Sequence, residues 1–225
     1  MELLLPEESD RSRQQSGSAA GGRASRFSYL MWLLALLICA LVTALTFVYL
    51  DVPIARSVFG ILGRAQSLAS GLGSAVLLAA EACVALALMI TRIKRGHLSP
   101  FHEATLLACL TSICTFALND GALKFFFGIP NPGAVIQGSQ HAVHLLRGSV
   151  TSSFPSGHMV LAGAFAGVFM RLYRASVVWF SVLLLLAAAL LVAGDWHFLS
   201  DVIAGTFVGV SAGLLAGEVW LAHSE

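Results

Sequence analysis

Six apolar runs of near membrane-crossing length occupy this chain, at roughly 28–50, 72–91, 104–127, 155–173, 175–196 and 198–222. About 20 residues rising 1.5 Å each cross about 30 Å of hydrocarbon. Inside a bilayer every backbone polar group must be satisfied within the chain, so runs of this kind are helices. Composition points the same way. Charged residues make up 11% of the chain and hydrophobic ones 57%, whereas a soluble domain carries about 25% charge. The expected fold is an all-α integral membrane protein, a six-helix transmembrane bundle with no internal repeat.

Charge and cysteines exclude other classes. The formal net charge is +1 and no basic block stands out, which argues against nucleic acid as a partner. Cys39, Cys83, Cys109 and Cys114 all lie inside apolar runs, where neither a disulfide framework nor a zinc cluster forms. Residues 1–26 mix Ser, Gly, Gln, Arg and acids without periodicity and read as a disordered tail, leaving 27–222 as the membrane domain. The run that follows the tail exceeds the 7–15 residues of a signal-peptide core, so it reads as an uncleaved first span.

Basic residues orient the bundle. Arg11, Arg13, Arg23 and Arg26 lie in the tail, Arg92, Lys94 and Arg95 after the second run, and Arg171 and Arg174 after the fourth. The opposite side has Arg56, Arg64, Lys124 and Arg147. The positive-inside rule then makes both termini cytoplasmic and turns segments 51–71 and 128–154 outward. In the first of these, Ile54, Val58, Ile61, Leu62, Ala65 and Leu68 recur at helical spacing, which suits an amphipathic helix in the outer interface as well as it suits a plain connector.

Three pieces carrying chemistry fall on that outward side. The first is Lys124, closing the third run. The second is Ser153-Phe154-Pro155-Ser156-Gly157-His158, opening the fourth, and the third is His197-Phe198-Leu199-Ser200-Asp201, between the fifth and sixth. Up-and-down threading brings all three to one membrane face. Pro155 suits the first helical position. The amides of Ser156, Gly157 and His158 then lie at a helix N-terminus, where free N–H groups and the dipole attract an anion. Gly157 allows close approach, Ser156 adds a hydroxyl, and His158 can supply a proton. His197 and Asp201 share a helical face at i and i+4, so the carboxylate can fix the tautomer that leaves the other ring nitrogen nucleophilic. Lys124 is a point charge suited to phosphate. The set describes a phosphoryl-transfer site with a histidine nucleophile, a histidine acid and an anion cradle, and it calls for no metal or other cofactor.

Those motifs, in that order, resemble the type 2 phosphatidic acid phosphatase superfamily, and the likeness extends over the membrane region. The resemblance implies that His197 forms a phosphohistidine, that Asp201 orients it and that His158 protonates the leaving oxygen. It also implies that Lys124, Ser156 and Gly157 hold the phosphate. Two positions depart from the family pattern. Asn131 stands where the first motif has an arginine before Pro132, and Leu190-Leu191 stand where the third has Ser-Arg. Both lost arginines would be phosphate ligands of the strong bidentate kind. Arg147, in the outward loop before the second motif, is the candidate substitute and is counted among the phosphate-binding residues.

Simpler readings stand beside these. Asp120 lies at i−4 from Lys124, where a plain helix ion pair forms. Glu81, in mid-span, is either functional or a protonated acid bonded to a neighbouring helix. His141 and His144 read as ordinary loop histidines rather than metal ligands, and Asp195 either tunes His197 or marks the interface. Ala162-Gly163-x-x-Ala166-Gly167 and Gly209-x-x-x-Gly213 read as helix-packing faces.

The expected activity is hydrolysis of a phosphate monoester or pyrophosphate carried on a lipid, because a site level with the outer headgroups meets phosphate on lipids first. The expected partners are membrane lipids and the lipid phosphate substrate. The expected location is a bacterial inner membrane with the site facing the periplasm. The alternatives are a weakened relative that binds or moves lipid phosphates, a lipid-to-lipid phosphotransferase, and a vanadate-using oxidase.

Overall fold

The computed structural model describes residues 29–62 and 69–224, and every regular element among them is helical. The tail over 1–26 and part of segment 51–71, including Ala65 and Leu68, lie outside the described residues. The chain divides into two compact units, Met1–Leu41 and Val42–Glu225. In the first, the described residues form the opening turns of helix α1 (Tyr29–Tyr49).

The second unit takes over within α1 and continues through α2 (Asp51–Leu62) and α3 (Ala69–Arg95) to α4 (Pro100–Leu118). A π turn over Asn119–Leu123 leads into α5 (Lys124–Phe127), followed by α6 (Pro132–Ile136), α7 (Gly157–Leu172), α8 (Val177–Ala193) and α9 (Leu199–Ser224). The sequence explains the boundaries. Arg92, Lys94 and Arg95 complement the dipole at the end of α3, and Gly96 stops it at φ 75°. Ser99 caps α4 through the His102 amide, with Pro100 in the first turn. Asp51–Leu62 is a helix, as its spacing suggests.

Five described segments are long and apolar enough to cross a membrane: Tyr29–Tyr49, Gly73–Arg95, Pro100–Ile136, Arg174–Ala193 and Leu199–His223. Their outward surfaces, among them Val178, Trp179, Leu183 and Leu185 on α8, are exposed and apolar, a face that lipid covers and water does not. The fourth expected span, 155–173, is realised as the 16 residues of α7, about 24 Å at helical rise. It is short because Phe154, Pro155 and Ser156 stay outside the helix, held by contacts to other elements.

The packed heart of the unit is the pair α7 and α9. A Cβ on Gly209 would lie 2.5 Å from the Val160 carbonyl oxygen, and one on Gly167 2.6 Å from that of Val210. On Gly213 it would overlap the Ala164 carbonyl. The small-residue faces therefore let the two backbones touch, as expected of them. At the far end Arg171 pairs with Glu218. Along the near end a Cβ on Gly205 would sit 2.6 Å from the Ser156 carbonyl oxygen, so the same close approach sets the start of α7 against the first turns of α9. Glu81 Oε2 is buried without a hydrogen-bond partner among the described residues.

Candidate active site

Four helix ends meet in one buried cluster: the start of α5, the start of α7, the end of α8 and the start of α9. Lys124, Ser156, His158, His197 and Asp201 are all buried there. The structure thus gathers every residue that the sequence motifs single out, except Arg147.

The α7 end is built differently from the sequence expectation. Pro155 does not occupy the first helical position. Ser156 is the N-cap, with extended backbone (φ −62°, ψ 116°) and its Oγ facing the Met159 amide at 3.5 Å. The Ser156 amide is not part of an anion cradle either, since it donates to the Asp201 carbonyl oxygen at 3.1 Å. The amides that could face an anion are those of Gly157 and His158, the first two helical positions, which have no intrahelical partner by geometry. A Cβ on Gly157 would lie 2.8 Å from the Phe116 ring and 3.5 Å from Lys124 Nζ, so glycine keeps the space beside the ammonium open.

Lys124 follows the π turn. Its own amide reaches back five residues to the Asn119 carbonyl, and the extra residue re-aims the side chains of that stretch. Lys124 Nζ pairs with Asp120 Oδ1 at 2.8 Å, so the plain ion pair forms, and it forms inside the cluster. Asn119 joins by donating to Asp120 Oδ1 at 3.2 Å and to the Pro155 carbonyl at 3.3 Å. The loop behind this end is ordered by the last carbonyls of α5. Phe125, Phe126 and Phe127 accept from the amides of Gly148, Leu146 and His144 at 3.0, 2.9 and 3.0 Å.

Across the cluster, His158 Nδ1 and His197 Nε2 are 3.4 Å apart. His197 Nδ1 stands 3.5 Å from Asp201 Oδ2, too long for a direct hydrogen bond. Ser153 fills the gap: its hydroxyl donates to Asp201 Oδ2 and lies 3.4 Å from His197 Nδ1. The arrangement can pass orientation from carboxylate to imidazole through the hydroxyl, with Nε2 on the other side of the ring facing His158. Asp201 also accepts from the Phe198 amide at 2.8 Å, the return bond of a capping box. Trp196 lies beside His158 with ring centroids 6.3 Å apart. Its Nε1, like His158 Nε2, is buried without a partner among the described residues. Asp195, in the turn before α9 at φ 55°, has its carboxyl pushed up to about 6 by burial.

Both departures from the family pattern have structural uses. Asn131 caps α6, its Oδ1 accepting from the Ala134 amide at 2.9 Å. Leu191 is buried in an apolar cluster with Met159, Ala166, Leu184 and Val202. Arg147 is exposed; its amide donates to the His144 carbonyl, and its side chain forms no ion pair with any described residue. His141 is no bare loop histidine, since its ring stacks on Phe47 at 4.2 Å and its Nε2 stands 3.5 Å from Asp51 Oδ2. His144 contributes its backbone to the α5 end. Sequence reasoning placed Ser153 at the head of the second piece without giving it a role, and missed Asn119, Trp196 and Asp51. For Asp51 the signal was a lone carboxylate where an apolar run ends.

A family model described as the PAP2 superfamily matches residues 105–222, just over half the chain and all of the cluster. No curated protein and no solved structure matches the chain.

Proposed function

The chain belongs to the PAP2 superfamily, and from that premise we propose that it hydrolyses a lipid phosphate, mono- or pyrophosphate, through a phosphohistidine. The observation that carries this reading is the facing pair of His158 Nδ1 and His197 Nε2 at 3.4 Å, beside the Gly157 cradle and Lys124. The phosphoryl group lies against the Gly157 and His158 amides and the Lys124 ammonium. His197 Nε2 attacks phosphorus, forming a P–N bond as the P–O bond to the lipid breaks. His158 gives its Nδ1 proton to the leaving oxygen. The imidazolium character gained by His197 is supported through Nδ1–H by Ser153 and Asp201. In the second half His158 takes a proton from water, the resulting hydroxide attacks phosphorus, and inorganic phosphate leaves His197.

In this reading the bundle crosses an inner membrane six times with both termini cytoplasmic, and the cluster opens at the outer leaflet. The one-sided Arg and Lys distribution supports that orientation, and an outer-leaflet site favours lipid-borne phosphate. Arg147 is exposed on the loop that backs the Lys124 end, and in this reading its side chain turns toward the cradle when the phosphoryl group binds and partly replaces the two missing arginines. A second reading is favoured by Asn131 and Leu191: because both family arginine positions serve packing and capping here, the protein binds or moves lipid phosphates with little turnover.

The deciding experiment is acid quench of purified protein after mixing with phosphate-labelled phosphatidic acid or an isoprenyl pyrophosphate. Acid-labile, base-stable label should appear on wild type and vanish in His197→Ala, with turnover of at least one lipid. Label that persists in His197→Ala removes this nucleophile, and binding without turnover selects the second reading.

A further inference from the structure

Helix α9 begins without a cap of its own. Phe198 precedes its first residue, and a phenylalanine side chain has no oxygen to accept from first-turn amides. Asp201 at the third position spends Oδ2 on Phe198 and Ser153. The Ser200 amide at the second position is met from far away in sequence. It donates to Asp51 Oδ1 at 3.0 Å, and the Ser200 hydroxyl donates to Asp51 Oδ2. Asp51 opens α2 and is 1% exposed; Ser200 is fully buried.

A carboxylate taken out of water is costly unless paired and hydrogen-bonded. Asp51 is offset by both Ser200 donors and by the positive end of α9, while His141 Nε2 stands 3.5 Å away, beyond a direct hydrogen bond. The His141 ring lies against Phe47 at 4.2 Å and Phe198 at 4.4 Å. The residues between which Ser200 sits are those that matter to the proposed chemistry: Phe198 and Asp201 are linked to each other, and Asp201 is linked through Ser153 to His197.

We propose that Asp51 is a positioning residue: as the N-cap of α9 supplied from the start of α2, it holds the turn that sets Asp201 and His197 against the phosphoryl group. The inference rests on the phosphatase reading for its kinetic consequence, though not for the clamp itself. A displacement of about 1 Å in a reacting constellation can cost about 10²-fold in rate. Asn at 51 keeps the shape but offers one acceptor to two donors, so Asp51→Asn should lower kcat toward that extent with KM nearly unchanged. Ser200→Ala keeps the amide bond and should lose about tenfold. Because Asp51 acts through Asp201, the double variant Asp51→Asn/Asp201→Asn should be little worse than Asp201→Asn alone.

Amide exchange supplies the second readout on the full-length protein in detergent. In Asp51→Asn, exchange across residues 198–201 should speed at least several-fold while Met159–Val168 in α7 keep their protection. Unchanged kcat, fully multiplicative losses in the double variant, or exchange rising equally in α7 each overturn the positioning role. If wild type turns over no lipid phosphate, the phosphatase reading fails by itself, and the exchange pattern still decides whether Asp51 clamps α9.

Discussion

Asn131 shows how one side chain can be read two ways. By alignment with the family pattern it is a lost arginine; in the fold its Oδ1 accepts the Ala134 amide and starts α6. Leu191 is similar, buried where a guanidinium would need partners. Arg147 carries the charge that the proposed site lacks, and removing one donor to a transferring phosphoryl group costs about 10²–10³ in rate. Arg147→Ala should fall by about that factor in steady-state turnover, with Arg147→Lys recovering only part because a point charge does not reproduce the fork. Asn131→Arg should raise turnover more in the Arg147→Ala background than in wild type, while costing about 1 kcal/mol in stability for the lost cap. Should Arg147→Ala match wild type, the site works with Lys124 and the helix amides alone.

Helices α7 and α9 carry the geometry of the cluster because their backbones touch. No side chain separates them at Gly167, Gly209 and Gly213, so the register between His158 and Asp201 is set by hard contact rather than by adjustable packing. Overpacking a close contact costs about 1–3 kcal/mol. Gly213→Ala, whose Cβ would overlap the Ala164 carbonyl, should lower the thermal midpoint in detergent and reduce activity with it. Gly60→Ala in α2 is the control, since nothing lies within 4 Å of its Cβ. That variant should hold or gain slightly, as Gly→Ala does at an unstrained helical site. Equal midpoints for the two variants would show that the α7–α9 contact does not limit stability.

At the scale of the whole molecule, the proposed function depends on which side of the membrane the cluster faces. Basic residues at the ends of α3 and α7 stand opposite the 128–154 loop in the sequence reading. Cysteines at exposed Ser139 and His97 test it better than at Gly138 or Gly96, whose φ values of 111° and 75° disfavour a side chain. With Cys39, Cys83, Cys109 and Cys114 replaced, Ser139→Cys in intact cells stripped of their outer envelope should react with an impermeant maleimide. His97→Cys should react only after permeabilisation. The opposite pattern would turn the cluster toward the cytoplasm and remove the argument for an outer-leaflet lipid.

The helical, membrane-suited character of this chain was legible in its sequence because run length, charge depletion and backbone satisfaction are local properties that hold whatever packs against them. The motif residues were legible for the same reason: a glycine and a histidine after a serine, or His-x-x-x-Asp, carry their chemistry in their spacing. Tertiary structure alone decided the rest. It took the Ser156 amide out of the cradle to bind Asp201, inserted Ser153 between His197 and Asp201, shortened α7, and brought Asp51 to Ser200 across 149 residues. Each of those outcomes is a polar group finding its partner on another element. Burial demands that partners exist, but only the packed arrangement of helices specifies which ones they are.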